Sequence, residues 1–271
     1  QISNYSPTDM DRWAEFVNKL KYPKSKVNIG LVGKYVELQD SYKSILESIV
    51  HAGSVNETQV VVHSIHSEHI DDKVDELILK LDGLIVAPGF GSRGIEGKIN
   101  SIRIARENNI PFFGICLGMQ MAVIEFSRNV LNLKNSNSTE MDENTLNPVI
   151  SLMEDQKNIT NMGGSMRLGS WDCEIKKNSK VHSIYNAKLI KERHRHRWEL
   201  NNTYLEELEK AGLKASGINS STGLVEIVEL PENDWFIGVQ FHPEYKSTVE
   251  NPHPLFVSFI SACLNYNKSK K

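Results

Sequence analysis

The first half of the chain alternates between two hydrophobic patterns. Four short runs are almost continuously apolar, as in strands buried on both faces, at 27–32, 60–65, 84–87 and 110–115. Segments between them carry apolar residues at helical spacing, at 41–51, 74–81 and 95–108. This alternation is typical of a sheet covered by helices on both faces. The predicted fold class is therefore α/β, doubly wound, with a mostly parallel central sheet.

The second half of the chain gives a weaker pattern. From about 129 to 164 the sequence is rich in Asn and Ser, which predicts a loop excursion that is partly disordered. Short apolar runs then predict further strands at 171–175, 224–230 and 236–241. Helices are predicted near 204–212 and at 255–264.

The two ends of the chain are predicted to lie outside the main domain. Residues 1–25 are predicted to form an arm or interdomain linker, 26–264 the domain, and 265–271 a basic tail, of which 268–271 is predicted to be disordered. Because the chain begins with Gln1 rather than Met, we expect it to be a piece of a longer protein.

The arm has an apolar face at helical spacing. The residues on this face are Trp13, Phe16, Val17 and Leu20. The face either packs on its own domain or belongs to a linker toward an upstream domain, and the pattern does not choose between the two.

Composition narrows the class of protein. With 39% hydrophobic and 24% charged residues, the 271-residue chain resembles an ordinary globular protein. Its net charge of -3 gives no electrostatic footprint for nucleic acid, and no apolar run approaches the roughly 20 residues of a membrane span. Three cysteines do not suit a disulfide framework and indicate a reducing, cytoplasmic compartment. We therefore expect neither nucleic acid nor a membrane as a partner.

The junction after the fourth predicted strand is the most informative segment. There, a buried strand runs into Gly114-Ile115-Cys116-Leu117-Gly118 and then into an apolar helix. This is the arrangement of a nucleophile elbow, with Cys in place of Ser. The N-terminus of the helix would favour the reactive thiolate. A lone Cys is more often a core residue, but the two glycines and the strand-to-helix context favour a nucleophile.

Two further segments supply the other parts of such a site. His242-Pro243-Glu244 follows a predicted strand, so that His242 can act as general acid and base while Glu244 orients its ring. Gly89, in the loop after the third strand, and Leu117 can donate backbone N–H groups to an oxyanion. Taken alone, one of nine histidines or one glycine-rich loop would be a weak signal.

Together these segments resemble the class I, or triad, glutamine amidotransferase family, and within it the glutaminase domains of the CTP synthases. The resemblance runs over roughly residues 8–264. Matching segments lie at 33–35, 40–42, 88–98, 105–108, 114–120, 125–130, 137–140, 162–169, 192–197 and 238–244. It implies a catalytic triad of Cys116, His242 and Glu244.

The resemblance also implies ligand contacts. The implied glutamine-binding residues are Gly89, Leu117, Gly118, Met119, Gln120, Glu140 and Arg197. Glu140 would pair with the α-ammonium of glutamine, and Arg197 would contact its α-carboxylate. GTP activates glutaminases of this family, and Met166 and Arg167 are implied contacts for it. Without the resemblance, 193–197 would be interpreted as a solvated charge run or a phosphate patch.

The implied partners are L-glutamine and an amidoligase domain on the same polypeptide, which would use ATP and Mg²⁺ to convert UTP to CTP. No G-x-x-x-x-G-K-[ST] phosphate loop occurs in this sequence, so we expect that domain elsewhere. We expect no metal or resident cofactor in this chain, and a homo-oligomeric full-length enzyme.

Departures from the family pattern leave the triad intact. The oxyanion loop has Ala87 where many members have Pro, and it keeps one glycine where they have two. Met141, Ser165 and Trp198 also differ from the common residues. The alternatives are a γ-glutamyl hydrolase, the amidotransferase subunit of another synthetase, or a catalytically silent interaction module.

Overall fold

A computed structural model describes residues 10–69, 72–152 and 166–270. The strands are β1 Ser25–Gly33, β2 Thr58–His66, β3 Gly83–Val86, β4 Phe112–Ile115, β5 Ser136–Ser138, β6 Asn147–Leu152, β7 Arg167–Ile175, β8 Leu189–His196, β9 Trp198–Leu200, β10 Lys214–Ile218, β11 Val225–Glu229 and β12 Phe236–Val239. The helices are α1 Asp11–Lys21, α2 Lys43–Val55, α3 Asp72–Lys80, α4 Ile95–Glu107, α5 Leu117–Asn129, α6 Lys180–Tyr185, α7 Leu205–Ala211 and α8 Pro254–Ser269. Short 3₁₀ turns lie at Gln39–Tyr42, Asn202–Tyr204 and Pro243–Lys246.

Among these residues, nine strands form one sheet in the order β2-β1-β3-β4-β12-β11-β10-β7-β8. The five strands from β2 to β12 pair in parallel, and those from β12 to β8 pair antiparallel. The predicted α/β fold with a central, mostly parallel sheet is confirmed. In a small second sheet, β5-β6-β9, strands β5 and β6 lie in the predicted excursion, whereas β9 follows β8.

The core lies on both faces of the sheet because successive residues of a strand point to opposite sides. On β4, Phe112 stacks on Phe236 with ring centroids 4.3 Å apart, whereas Phe113 packs edge-on against Phe256 of α8 at 5.2 Å. Buried residues of α4 and α5 cover the first face, and those of α2 and α8 cover the second.

The parallel strands place the loops that carry the candidate chemistry. β4 lies between β3 and β12, and all three run in the same direction. Their carboxyl ends therefore meet at one edge, where open α/β sheets hold their sites. The segments that follow these strands begin with Ala87, Cys116 and Gln240.

Several elements in the second half of the chain were not predicted from the hydrophobic pattern. They are β5, β6, β8, β9, β10 and α6. In β8, exposed and buried residues alternate strictly, but the buried ones after Ile190 are Glu192, His194 and His196. A half-buried strand is recognised by alternating apolar residues, so polar inward residues conceal it.

The two ends of the chain differ from expectation. In α1, Phe16 is half-buried and its ring lies 6.1 Å from that of His51, whereas Trp13, Val17 and Leu20 remain about 40% exposed. The predicted apolar face is thus divided between the domain and the surface. The prediction of a disordered tail is wrong for its described part, because α8 continues to Ser269.

The tail is also anchored at its end. The Lys270 ammonium donates to the carbonyl of Leu81 and lies 3.6 Å from the Asp82 carboxylate.

The Asn- and Ser-rich excursion is only partly described. Residues 153–165, which include the predicted Met-Gly-Gly segment, lie outside the described residues.

None of the helices in the described ranges combines the length and the apolar character that a bilayer span requires.

Candidate active site

Cys116 lies at a strained turn between β4 and α5. Its backbone has φ 52° and ψ −103°, a conformation that L-residues rarely adopt and that clusters at functional sites. The Cys116 N–H donates to the Val239 carbonyl of β12 at 2.7 Å, and its carbonyl accepts from the Gln120 N–H at 3.2 Å. The strand and the helix therefore hold the sulfur at the sheet edge.

The flanking glycines are required by close backbone packing. A Cβ atom on Gly118 would lie 2.2 Å from the Val86 carbonyl oxygen of β3. One on Gly114 would lie 2.8 Å from the carbonyl of Gly118. Since any side chain would push the strand and the helix apart, the glycines of the elbow follow from its geometry.

His242 and Glu244 are brought beside the cysteine by β12. The Nδ1 atom of His242 lies 2.7 Å from Oε1 of Glu244, and both side chains are buried. Nε2 of His242 has no hydrogen-bond partner among the described residues. Burial lowers the pKa of His242, but Cys116 and Glu244 raise it by more, so that the net shift is upward. The arrangement favours the imidazolium form of His242 beside Cys116.

The predicted oxyanion loop lies against the start of α5. A Cβ atom on Gly89 would be 3.4 Å from Leu117 Cδ2, so the two residues predicted to supply the N–H donors are neighbours. Two lysines hold the loop: Lys98 Nζ donates to the Ala87 carbonyl at 2.7 Å, and Lys34 Nζ donates to the Phe90 carbonyl. Cations outside the loop therefore fix its carbonyls, although one glycine of the family pattern is missing.

The predicted pair for the ends of glutamine is also assembled. Oε1 of Glu140 accepts from the Gly91 N–H at 2.7 Å, which ties Glu140 to the oxyanion loop. Burial raises the pKa of Glu140, and this is partly offset by Gly91, Lys34 and Arg197. Glu140 and Arg197 are thus close enough for their charges to interact.

The other predicted contacts differ in how they face the site. The Met119 side chain is fully buried and packs under Gly238 of β12, so Met119 would contact a substrate through its backbone. Gln120 is also buried, and its side-chain amide donates to the Trp198 carbonyl at 2.9 Å and to Gln240 Oε1 at 3.2 Å.

Gln240 received no role in the sequence analysis. Its side chain is fully buried, and Nε2 lies 3.7 Å from the Cys116 sulfur. It can therefore donate a hydrogen bond to a thiolate. The available signal was its polar character at the end of an otherwise apolar strand, two residues before His242.

The implied nucleotide contact Arg167 is in a buried charge cluster beside the triad. Its guanidinium lies 2.6 Å from Glu226 and 3.3 Å from Glu199, and it stacks over Trp171 at 4.6 Å. With its charge engaged inside the protein, Arg167 is poorly placed for a direct contact with GTP. Met166, next to it, is half-buried.

Two histidines complete this cluster. Nδ1 of His194 lies 2.8 Å from Nε2 of His196, and His196 lies 3.3 Å from Glu199. Burial and the neighbouring cations lower the pKa of His194 to about 2 and that of His196 to about 3, so both rings are neutral near pH 7. Burial raises the pKa of Glu226 to about 7.

No group of three or more His, Cys, Asp or Glu side chains within the described parts of the chain could hold a metal ion.

Comparison with known proteins agrees with this geometry. The model of the class I glutamine amidotransferase family matches residues 37–262. A CTP synthase of Flavobacterium johnsoniae is 65% identical over 261 residues, which is 96% of this chain and 49% of that protein. A CTP synthase of Christiangramia forsetii is 62% identical over 267 residues, which is 98% of this chain and 49% of that protein. The chain thus spans about half the length of these relatives.

A solved structure gives the same result. The glutaminase domain of Trypanosoma brucei CTPS with bound acivicin superposes with a TM-score of 0.84 at 40% identity, covering 88% of this chain and 94% of that one. Because both the family match and this structural relative cover most of the domain, the chain belongs to the class I glutamine amidotransferase family.

Proposed function

We propose that this domain hydrolyses L-glutamine to glutamate and ammonia, with Cys116 as nucleophile, His242 as general acid and base, and Glu244 as its partner. The observation that carries the proposal is the placement of a strained, glycine-flanked cysteine beside a buried His–Glu pair held at 2.7 Å. Family membership supports the same chemistry.

The reaction follows from the protonation states that the site favours. The Cys116 thiolate attacks the side-chain carbonyl carbon of glutamine, and the N–H groups of Gly89 and Leu117 bind the resulting oxyanion. The C–N bond breaks as the His242 imidazolium donates its proton to the nitrogen, which leaves as ammonia. Water, losing a proton to His242, then attacks the γ-glutamyl thioester, releasing glutamate and restoring the thiolate.

Recognition of the amino-acid end would come from the opposite charges near the oxyanion loop. Glu140 would bind the α-ammonium, and Arg197 the α-carboxylate, while Gly118, Met119 and Gln120 would line the rest of the site. Because Glu140 accepts from Gly91, binding of the ammonium would also steady the loop that holds the oxyanion donor.

The ammonia would be consumed by an amidoligase domain on the same polypeptide, which uses ATP and Mg²⁺ to convert UTP to CTP. This part rests on the relatives, which are named CTP synthases and are about twice as long as this chain. GTP would act as effector, and the full-length enzyme would be a cytoplasmic homo-oligomer.

The test is glutamate release by the purified chain, combined with labelling by a diazoketone analogue of glutamine. We expect glutamine-dependent release and a single label, mapped by mass spectrometry to Cys116. The control is Cys173→Ser, because Cys173 is fully buried in β7, a strand that carries none of the proposed catalytic residues. Hydrolysis of γ-glutamyl peptides in preference to glutamine would favour a γ-glutamyl hydrolase, and neither release nor label would indicate a silent module.

A further inference from the structure

Lys98 is a fully buried lysine beneath the oxyanion loop. It lies in α4, which packs against α5, and none of its side chain is exposed. Its ammonium donates to the Ala87 carbonyl at 2.7 Å. A Cβ atom on Gly89 would lie 3.8 Å from the same nitrogen. The ammonium is therefore adjacent to the proposed oxyanion donor.

This buried charge has no carboxylate partner. Among the described residues, no Asp or Glu oxygen lies within 4.0 Å of Lys98 Nζ. A buried ammonium is costly unless an anion compensates it. The titratable groups that act on it are Lys34, after β1, which opposes its charge, and Cys116, before α5, which favours it.

Two further charged groups of the site interact with Lys34 and Cys116. Glu140 interacts with Lys34 from the excursion, and His242 interacts with Cys116 from the end of β12. Cys116 is thus the acidic group that raises the pKa of Lys98.

We propose that Lys98 is a positioning residue for the cysteine chemistry: its ammonium fixes the Ala87 carbonyl of the oxyanion loop and is a buried counter-charge that favours the Cys116 thiolate. The catalytic part of this assignment rests on the proposed glutaminase function. The effect on the Cys116 thiol can be measured without glutamine.

The two charges are linked. Burial lowers the pKa of Lys98 to about 7, with Lys34 adding to this and Cys116 opposing it. The charged form of Lys98 is therefore favoured when the sulfur is a thiolate, and by reciprocity the thiolate is favoured when Lys98 is charged. Both the ammonium and the neutral amine can donate to Ala87, so the hydrogen bond to the loop can persist when the charge changes.

The test uses two variants that separate charge from hydrogen bonding. Lys98→Met removes both, whereas Lys98→Gln removes the charge and keeps a donor. The rate of Cys116 alkylation by iodoacetamide is followed from pH 5 to 10 by mass spectrometry, without glutamine. We expect the pH midpoint of alkylation to rise by about one unit in both variants, so that the rate below the wild-type midpoint falls about tenfold.

The experiment has a matched control variant, and the two other cysteines are not expected to contribute to the alkylation signal. Lys180 is a half-buried lysine that also donates to backbone carbonyls, those of Pro231 and Asn233. Lys180→Met should leave the pH midpoint of Cys116 alkylation unchanged. Burial raises the pKa of Cys173 and of Cys263, so alkylation in this pH range should report on Cys116.

An unchanged midpoint in either folded variant would overturn the counter-charge role. If Lys98→Met does not fold, Lys98→Gln decides, with circular dichroism as the check on folding. The hydrogen-bonding role predicts a larger fall of kcat for Met than for Gln at unchanged KM, and equal falls would remove it. A wild-type chain that alkylates as expected but releases no glutamate would refute the proposed function and leave the role of Lys98 standing.

Discussion

The two halves of the central sheet differ in how they are stabilised and in which groups they carry. The parallel half, from β2 to β12, is built from apolar strands whose carboxyl ends carry the oxyanion loop, Cys116 and the His242 segment. The antiparallel half, from β11 to β8, buries Arg167, Glu226 and two histidines. The first half gains stability from apolar burial and presents reactive groups at its edge, whereas the second depends on mutual compensation of charges inside the protein.

This comparison predicts that substitutions in the two halves fail in different ways. In the parallel half, removal of a reactive group should abolish activity and leave the fold. In the antiparallel half, removal of a charge should weaken the fold, because its buried partner loses compensation.

The largest effect is expected for Cys116→Ala. Glutamine hydrolysis should fall by at least ~10³-fold, the scale seen when a triad member is removed. The free energy of urea unfolding should stay within about 1 kcal/mol of the wild type, because the side chains are similar in size and the strained backbone is kept. Substantial residual hydrolysis would mean that another residue attacks.

Arg167→Leu should act on stability instead. It leaves Glu199 and Glu226 buried without their cation, which costs about 3–5 kcal/mol, measured by urea unfolding. The control is Arg103→Leu, which removes an exposed pair with Glu107 and should cost less than about 1 kcal/mol. Similar losses in both variants would contradict the contrast between the halves.

The pH dependence sharpens this test. Burial raises the pKa of Glu226 to about 7, above that of an unfolded glutamate near 4.3. Between these values the folded state binds more protons than the unfolded state, so this group lowers stability as pH rises. Since Arg167 opposes the shift, Arg167→Leu should destabilise the fold more at pH 8 than at pH 5.

Glu244→Gln is expected to lower kcat by less than Cys116→Ala does, because Glu244 acts through His242. Glu244 also helps to raise the pKa of His242, so the alkaline limb of the kcat profile should move to lower pH. Glu250→Gln, at an exposed position, is the matched control. An unchanged rate and profile would remove Glu244 from the proposed triad.

The smallest effect is expected for Arg197→Ala, a rise in KM for glutamine of about tenfold that exceeds any fall in kcat. A contact to the unreacting α-carboxylate contributes similarly in the ground and transition states. Steady-state kinetics give both constants, with Arg195→Ala as control on the exposed side of β8. A pure kcat defect would contradict a binding role.

The sequence predicts the strands of the parallel half better than those of the antiparallel half. Apolar runs and helical spacing locate β1 to β4, and the Gly114–Gly118 spacing marks the elbow from the sequence alone. β8 was missed because its inward positions are Glu192, His194 and His196, and only their alternation with exposed residues marks a strand. Long-range pairings such as Arg167 with Glu226 follow from tertiary contacts that no local pattern contains.

The family resemblance, and not the local pattern, supplied the predicted ligand contacts of the site. It implied Glu140 and Arg197 as a pair of binding residues, and Arg197 lies close enough to lower the pKa of Glu140. It also suggested Arg167 as a ligand contact, where burial places that side chain among carboxylates. A motif match identifies residues that occur together, whereas the direction in which each side chain points is decided by packing.

The central position of β12 has a consequence for how the protein is made. It is the last strand in the described chain, yet it inserts between β4 and β11 and brings His242 to the cysteine. During synthesis the elbow can form long before its base arrives, so a nascent chain would carry the cysteine without its His–Glu pair. Pairing across so long a sequence separation also favours slow folding. Insertion of β12 thus both joins the two halves of the sheet and brings the His242–Glu244 pair to the proposed nucleophile.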